Sequence, residues 1–334
     1  NGVAMPIITA FKILFCLFAL AATSCSALDV TDLKQAGYTS GKLVGELKYK
    51  GLNEASGIAR STRSDKLFWV INDGGDKPFI YAIDSQGKHL GRYFVTKVDN
   101  RDWEDISSYS ENGKHYLIIA DTGDNNANHL DSFLWVVEEP NLQNYNKKQL
   151  NTIPVKQRIR FRYKDGPRDC ESIAVDQQNQ RILLLSKRTV LAVMYQLPLS
   201  PDPKQRMLTA TPMAELNLIP QPGLTFLLKN PFFGRYASQP TAIDISPSGK
   251  ELAVLTYGYG YIFELQNNKW EQALEQAPKV IEIPRLAQAE AWSFDNNGNL
   301  IITSEKRPAP LYLLKKSSIE AISQQQNKLN QQHN

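Results

Sequence analysis

The chain has 334 residues, of which 42% are hydrophobic and 22% charged, and a formal net charge of +4. This length and balance exclude a small module, a fibrous or disordered protein and an integral membrane protein; they leave two ordinary domains or one large β-barrel or propeller. The near-neutral charge, with no dense basic stripe, argues against nucleic acid as a partner. Three cysteines are too few for a disulfide scaffold.

The first 27 residues have the pattern of an export signal. Lys12 precedes an apolar run over residues 13–22, which is too short to span a bilayer as a stable helix. Small residues follow, up to Cys25, as in a bacterial lipoprotein signal whose cysteine is lipidated after cleavage. Ordinary cleavage after Ala27 is the alternative. The expected product is an exported monomer, in the periplasm or on the outer membrane, that meets the membrane only through lipid on Cys25.

A unit of short strands recurs within residues 38–315 and predicts a single all-β domain, a β-propeller. Each copy has an apolar strand that begins at a polar residue, a turn, a second apolar strand that ends in polar residues, and a third strand. The copies begin at Glu54, Glu104, Glu171, Thr241 and Glu290. A fourth, outer strand is expected after the third, at residues 90–95, 155–163, 213–218 and 280–283.

The fifth unit has no candidate outer strand after it. The chain continues instead into a Gln/Asn-rich segment, 316–334, which we expect to be disordered. The missing strand is predicted at residues 42–49, near the front of the chain. Its pairing would close the ring and remove the exposed sheet edges of an open array. The repeat favours five blades, with a sixth inside residues 198–240 as the alternative.

The repeat directs polar side chains to one mouth of the predicted channel. The first two strands of each unit are antiparallel neighbours, so the start of the first and the end of the second share one edge of the sheet. The innermost strands line the channel, and every unit therefore contributes to the same mouth. The predicted cation ligands are Glu54, Asp73, Glu104, Glu171 and Glu290.

Carboxylates gathered in one place repel one another, and this repulsion has to be offset. Two of them about 6 Å apart repel by roughly 3 kcal/mol at an effective dielectric constant near 20. Raised pKa values, ion pairs or a bound cation can offset this repulsion. Ca²⁺, which takes about six to eight oxygen ligands, suits such donors, whereas four histidines make a zinc or copper site a poor match. The competing interpretation is structural: the glutamates bind backbone N–H groups of the next blade and lock the ring.

A cation at the mouth would suit a hydrolase of small esters, lactones or phosphoesters, since it would polarise the carbonyl or phosphoryl oxygen. Asp121 or Glu305 would act as the general base, and Lys187 would stabilise developing negative charge. The alternative is a non-catalytic protein of the cell envelope that binds a partner protein through loops 122–132 and 219–238. A carboxylate-pair glycosidase is a third hypothesis.

Among the stretches 53–58, 100–106, 121–125 and 165–172, the most specific is 100–106. These stretches resemble a family of exported bacterial β-propeller proteins and, more distantly, the SdiA-regulated propellers and the esterase-like phytase domain, over residues 52–314. The resemblance implies a metal held by Glu54, Glu104, Glu171 and Glu290, as in related calcium-dependent lactonases and phosphotriesterases. This chain departs from those hydrolases in having Glu where they mix Glu, Asn and Asp, and in having Thr241 in one unit.

Overall fold

The computed structural model describes residues 28–189 and 191–317. The predicted export signal and nearly all of the predicted tail lie outside the described residues. Within those ranges the fold is almost entirely β, and no helix is long and apolar enough to cross a membrane. The helices are α1 (Leu224–Lys229), α2 (Trp270–Leu274) and the 3₁₀ segments Val30–Asp32, Leu142–Asn144 and Gly234–Tyr236.

The described strands form five four-stranded antiparallel groups, numbered in chain order except that β1 (Lys42–Leu47) belongs to the last. Group 1 is β2 (Ala55–Arg60), β3 (Leu67–Asn72), β4 (Phe79–Asp84) and β5 (His89–Thr96). Group 2 is β6 (Trp103–Glu111), β7 (Lys114–Asp121), β8 (Ser132–Glu138) and β9 (Thr152–Tyr163). Group 3 is β10 (Cys170–Asp176), β11 (Arg181–Ser186), β12 (Val193–Pro198) and β13 (Leu208–Glu215). Group 4 is β14 (Pro240–Ile245), β15 (Glu251–Thr256), β16 (Gly260–Glu264) and β17 (Lys279–Ile281), and group 5 is β18 (Ala289–Phe294), β19 (Leu300–Ser304), β20 (Ala309–Leu314) and β1.

The first strands of the groups form a closed cycle. β2 contacts β6, β6 contacts β10, β10 contacts β14, β14 contacts β18, and β18 contacts β2 again. These strands therefore surround a common axis, and the other three strands of each group extend outward from it. This arrangement is the predicted β-propeller.

The predicted closure by an N-terminal strand is also confirmed. β1 pairs antiparallel with β20, from Lys42 opposite Leu313 to Leu47 opposite Ala309. The last group is thus assembled from both ends of the described chain. Because backbone hydrogen bonds complete the sheet, the edge that β20 would otherwise expose is covered.

The outer strands show one feature that the repeat did not predict. β9 is longer than expected, and it pairs in parallel with β5 at its beginning and with β13 at its end. The outer edges of groups 1, 2 and 3 are therefore joined by hydrogen bonds. The third outer strand, β13, accordingly begins at Leu208, earlier than predicted. The segment 198–240, considered for a sixth blade, contains β13, α1 and a 3₁₀ segment.

The apolar core lies between neighbouring groups. Five buried clusters each combine residues of two adjacent groups, including a cluster between groups 5 and 1 that contains Leu47. Trp69, Trp103 and Trp292 are fully buried within these clusters. The tryptophans therefore hold neighbouring groups together.

Substitution of Leu47 tests whether β1 closes the ring. Its side chain is 1% exposed and packs between groups 5 and 1, so we expect Leu47→Ala to lower the free energy of unfolding by about 2–5 kcal/mol through the cavity it leaves. Leu43→Ala, in the same strand but 51% exposed, is the control and should change it by less than about 0.5 kcal/mol. Denaturant unfolding measures both. Equal effects would contradict the role of β1 in closing the ring.

Candidate functional site

A β-bulge near the start of every inner strand positions the mouth residues. The register against the second strand shifts at one residue in each group, and these residues are Ser56, Glu104, Glu171, Thr241 and Glu290. A bulge leaves its extra residue out of the ladder and re-aims the side chain, which is why bulges are common beside functional sites. We refer to these five positions as the bulge ring.

The bulges correct the alignment of the first unit. In group 1 the bulged residue is Ser56, whereas Glu54 lies two positions earlier, is exposed, and forms an isolated bridge with Lys306. The structural equivalents of Glu54 are Asp102 and Asp169: the backbone carbonyl of each accepts a hydrogen bond from the residue that follows the second strand of its group. The predicted ligand Glu54 is thus outside the carboxylate clusters.

A second ring consists of the residues that directly follow the second strands. Its members are Asp73, Thr122, Lys187, Tyr257 and Glu305. Asp121, predicted as a general base, is one position too early to belong to it. Its carboxylate accepts hydrogen bonds from the backbone N–H of Asp102 (3.0 Å) and from Trp135 Nε1 (3.2 Å). Asp121 therefore supports the segment that carries Asp102 and does not face the mouth as a free base.

Two carboxylate clusters meet at Glu104. Oxygens of Asp73, Asp102 and Glu104 lie within 4.8 Å of one another, and so do those of Glu104, Asp169 and Glu171. Glu104 is only 7% exposed, yet none of the hydrogen bonds among the described residues involves its carboxylate. Three of the predicted ligands are thus brought together, and the bulge alignment adds two aspartates that the sequence analysis did not include.

Two glycines make room for the first cluster. A Cβ atom on Gly123 would collide with Glu104 Oε1 and with the carboxylate of Asp102, and one on Gly74 would collide with Asp102 Oδ1. Only residues without a side chain allow the two turns to approach the carboxylates so closely. The turns that follow β3 and β7 therefore form a cradle around these oxygens.

The other side of the mouth contains a positively charged side chain, that of Lys187. Lys187 Nζ lies 2.9 Å from Glu171 Oε2, and it donates to the Tyr257 hydroxyl at 3.1 Å. That hydroxyl donates to Glu290 Oε1 at 2.6 Å. Arg188 Nε pairs with Asp169 Oδ2 at 2.6 Å. The second cluster is therefore compensated by two cationic side chains, and the predicted ligand Glu290 belongs to this network and to neither cluster.

Burial and repulsion raise the pKa values of the acids. Burial, followed by the neighbouring aspartates, raises the pKa of Asp102 to about 6. Burial, followed by Glu171, raises the pKa of Glu104 well above its usual value. The pKa of Glu171 rises to about 8 because burial outweighs the opposing effect of Lys187. Burial disfavours the charge on Lys187, but Glu171 and Glu290 overcome this effect and raise its pKa.

The ring-locking role predicted for the glutamates belongs to two aspartates. Asp105 accepts hydrogen bonds from its neighbour Ile106 and from the backbone N–H of Ile173 in the next group (2.9 Å). Asp244 likewise accepts from the backbone N–H of Phe294 (2.9 Å) and pairs with Arg60. These carboxylates are as buried as Glu104, but they are saturated with donors. The contrast separates structural acids from those available to a ligand.

Glu305, the second predicted base, is half-buried in the second ring. Burial, followed by Glu290, raises its pKa. It also lines an open pocket of about 660 Å³ at the seam between groups 5 and 1, together with Lys50, Lys306 and Arg307. Glu305 thus borders both the mouth and solvent.

Comparison with known proteins finds similar solved structures but no family. No family model and no curated protein matches the chain. A solved luciferin-regenerating enzyme is similar over 82% of this chain and 95% of its own, with 12% identity and a TM-score of 0.39. A "putative 6-phosphogluconolactonase" from Bacteroides uniformis is similar over 78% of this chain and 66% of its own, with 11% identity and a TM-score of 0.36.

The raised pKa values predict that the cation-free protein becomes less stable as the pH rises. Asp102 and Glu171 titrate near 6 and 8 when folded, against 3.8 and 4.5 for the free groups. The folded state therefore binds more protons than the unfolded state between about pH 4 and pH 8, and the free energy of unfolding falls across that window. Urea unfolding in EDTA at several pH values measures the slope.

Asp102→Asn should make this slope shallower, whereas Glu54→Gln, outside the clusters, should leave it unchanged. A free energy of unfolding that rises with pH over the same range would contradict the interpretation.

Proposed function

We propose that Asp73, Asp102 and Glu104 bind one divalent cation, Ca²⁺, and that the protein uses it to hydrolyse a small ester, lactone or phosphoester. The observation that carries the proposal is the carboxylate of Glu104, which is buried in the cluster and receives no hydrogen bond from the described residues. An uncompensated buried carboxylate is costly, and a cation removes that cost.

The first cluster is the better cation site because it has no resident positive charge. Among the described residues, no Lys or Arg nitrogen pairs with Asp73, Asp102 or Glu104, whereas Lys187 and Arg188 already neutralise the second cluster. All the donors are hard oxygen atoms, which suits Ca²⁺. The glycine cradle leaves these oxygens unobstructed by neighbouring side chains.

The reaction assigns distinct roles to the surrounding side chains. A bound cation would polarise a carbonyl or phosphoryl oxygen of the substrate. Glu305, at the border between mouth and solvent, would accept a proton, since its raised pKa makes it a stronger base than an ordinary glutamate. Lys187, held by Glu171 and Tyr257, would stabilise negative charge that develops beside it. The expected export signal would bring this chemistry outside the cytoplasm.

Substitution of Glu104 tests the cation site. Ca²⁺ at about 100 times its dissociation constant should stabilise the wild-type protein by about 2.7 kcal/mol, and Glu104→Gln should abolish both this stabilisation and hydrolysis. Glu54→Gln is the matched control for binding and should retain the stabilisation by Ca²⁺, because Glu54 lies outside the clusters. Calcium titration by calorimetry measures binding, and a panel of lactones, aryl esters and aryl phosphates measures turnover.

Ca²⁺ binding by Glu104→Gln at wild-type affinity would reject the ligand set. Binding without turnover on any of the three substrate classes would leave the cation site in place and reject the hydrolase.

Lys187 should limit the mouth to one divalent cation. Lys187→Met removes the charge that neutralises Glu171 and Glu290 but retains the length of the side chain. We therefore expect the variant to bind a second Ca²⁺ at Glu104, Asp169 and Glu171, and the calorimetric stoichiometry should rise from one to about two. Lys187→Arg keeps the charge and should bind one. A stoichiometry of one for Lys187→Met would contradict this account.

A further inference from the structure

The two faces of the propeller differ in exposed apolar side chains. Every inner strand begins at the mouth, so the loops that join second to third strands, and outer to next inner strands, lie on the mouth face. Eight large hydrophobic residues are exposed in the described structure. Those in mouth-face loops are Leu130, Leu224, Phe226, Leu228, Phe232 and Phe233, and Leu43 lies at the opposite face. The eighth, Leu150, precedes Asn151, whose carbonyl accepts a hydrogen bond from the backbone N–H of Phe94 near the mouth end of β5.

Five of the six are concentrated in one segment, residues 216–239, which we name the apolar loop. It contains α1, none of whose residues is buried, and the turn that carries Phe232 and Phe233, which are 78% and 80% exposed. Side chains of this size in water are unfavourable by about 1.5–3 kcal/mol each relative to burial. A contiguous exposed apolar patch of this kind marks an interaction site.

The apolar loop is attached to the rim of the mouth. The backbone N–H of Gly258, next to Tyr257, donates to Ala237 O at 2.9 Å, and Ser238 Oγ donates to Pro220 O at 2.6 Å. Arg188, the partner of Asp169, lines a small pocket together with Arg235 at the base of the loop. The base is thus fixed beside the mouth, and the tip protrudes from the same face.

The charge of the apolar loop identifies its partner. Residues 216–243 contain no Asp or Glu, and their only charged residues are Lys229 and Arg235, on either side of the two phenylalanines. Both cations are exposed, and neither forms an ion pair within the described residues. Protruding Leu and Phe side chains flanked by Lys and Arg are the composition that binds an anionic bilayer, where the apolar groups enter the interface and the cations meet phosphate headgroups.

We propose that the apolar loop docks the mouth face on an anionic lipid bilayer. Phe232 and Phe233 enter the boundary between headgroups and acyl chains, and Lys229 and Arg235 bind lipid phosphates. The mouth then opens toward the membrane surface. This proposal stands on the exposed loop and does not require the calcium site or the hydrolase.

Phe233→Trp in the full chain reports the docking directly. The native Trp69, Trp103, Trp270 and Trp292 are buried and Trp135 is half-buried, so quenching of the new tryptophan by brominated acyl chains is measured as the excess over the wild-type protein. We expect vesicles of phosphatidylcholine with about one-third phosphatidylglycerol to quench it, relative to the wild-type protein as background. Leu43→Trp, on the opposite face, is the matched control and should not be quenched. Because the readout is local, a lipid anchor elsewhere in the chain cannot produce it.

Two further variants test the separate contributions to docking. Lys229→Gln with Arg235→Gln should reduce partition into the anionic vesicles by about tenfold or more, and Phe232→Glu with Phe233→Glu should abolish the loop-dependent part. Circular dichroism and urea unfolding verify that each variant is folded.

An unquenched Phe233→Trp, or equal quenching of Leu43→Trp, overturns the proposal. So does a concentration-dependent dimer of the wild-type protein that the Phe232→Glu, Phe233→Glu variant disrupts, since the loop would then bind a second copy of the chain. Loss of Ca²⁺ binding in Glu104→Gln with quenching retained would leave the docking surface intact.

Discussion

Closure of the ring by β1 and β20 is the constraint on which the rest of the structure depends. The five inner strands contact one another in a cycle, and the cycle is complete only because the last group takes a strand from the front of the chain. Once the ring is closed, bulges at equivalent positions point toward one mouth. Side chains more than a hundred residues apart in the chain then affect each other's ionisation, as Asp73 does when it raises the pKa of Glu290.

The mouth shows how a propeller can bury charge in two ways. Asp105 and Asp244 are buried carboxylates that accept backbone N–H groups of the next group, and they stabilise the ring because their hydrogen-bonding capacity is used. Glu104 is equally buried but has no such donors among the described residues. Neutralising it requires a proton or a cation, so the fold keeps a potential binding site at a cost in stability.

The charged side chains at the mouth are distributed asymmetrically, and the apolar loop on its rim lies on one side only. Groups 1 and 2 provide the uncompensated acids, whereas Lys187 and Tyr257 from groups 3 and 4 form a hydrogen-bonded network with Glu290 of group 5. The apolar loop rises from the connection between groups 3 and 4, on this second side. The carboxylate cluster of Asp73, Asp102 and Glu104, which repels anions, and the apolar loop, which we propose binds lipid, thus lie in neighbouring sectors of one face. This arrangement suits a ligand that is presented at the surface of a bilayer.

The sequence by itself determined the all-β repeat, the strand order, the closing strand and the concentration of acids at one mouth. Those features follow from alternating apolar patterns and turn residues, which are local. It misaligned Glu54, did not include Asp102 among the candidate ligands, and gave no sign that Asp121 accepts hydrogen bonds from Asp102 and Trp135. Only the tertiary structure decided these points, because a one-residue bulge leaves the apolar pattern unchanged and moves the equivalent position from Glu54 to Ser56. Likewise, whether a buried carboxylate is satisfied depends on donors from a neighbouring group that are distant in the chain.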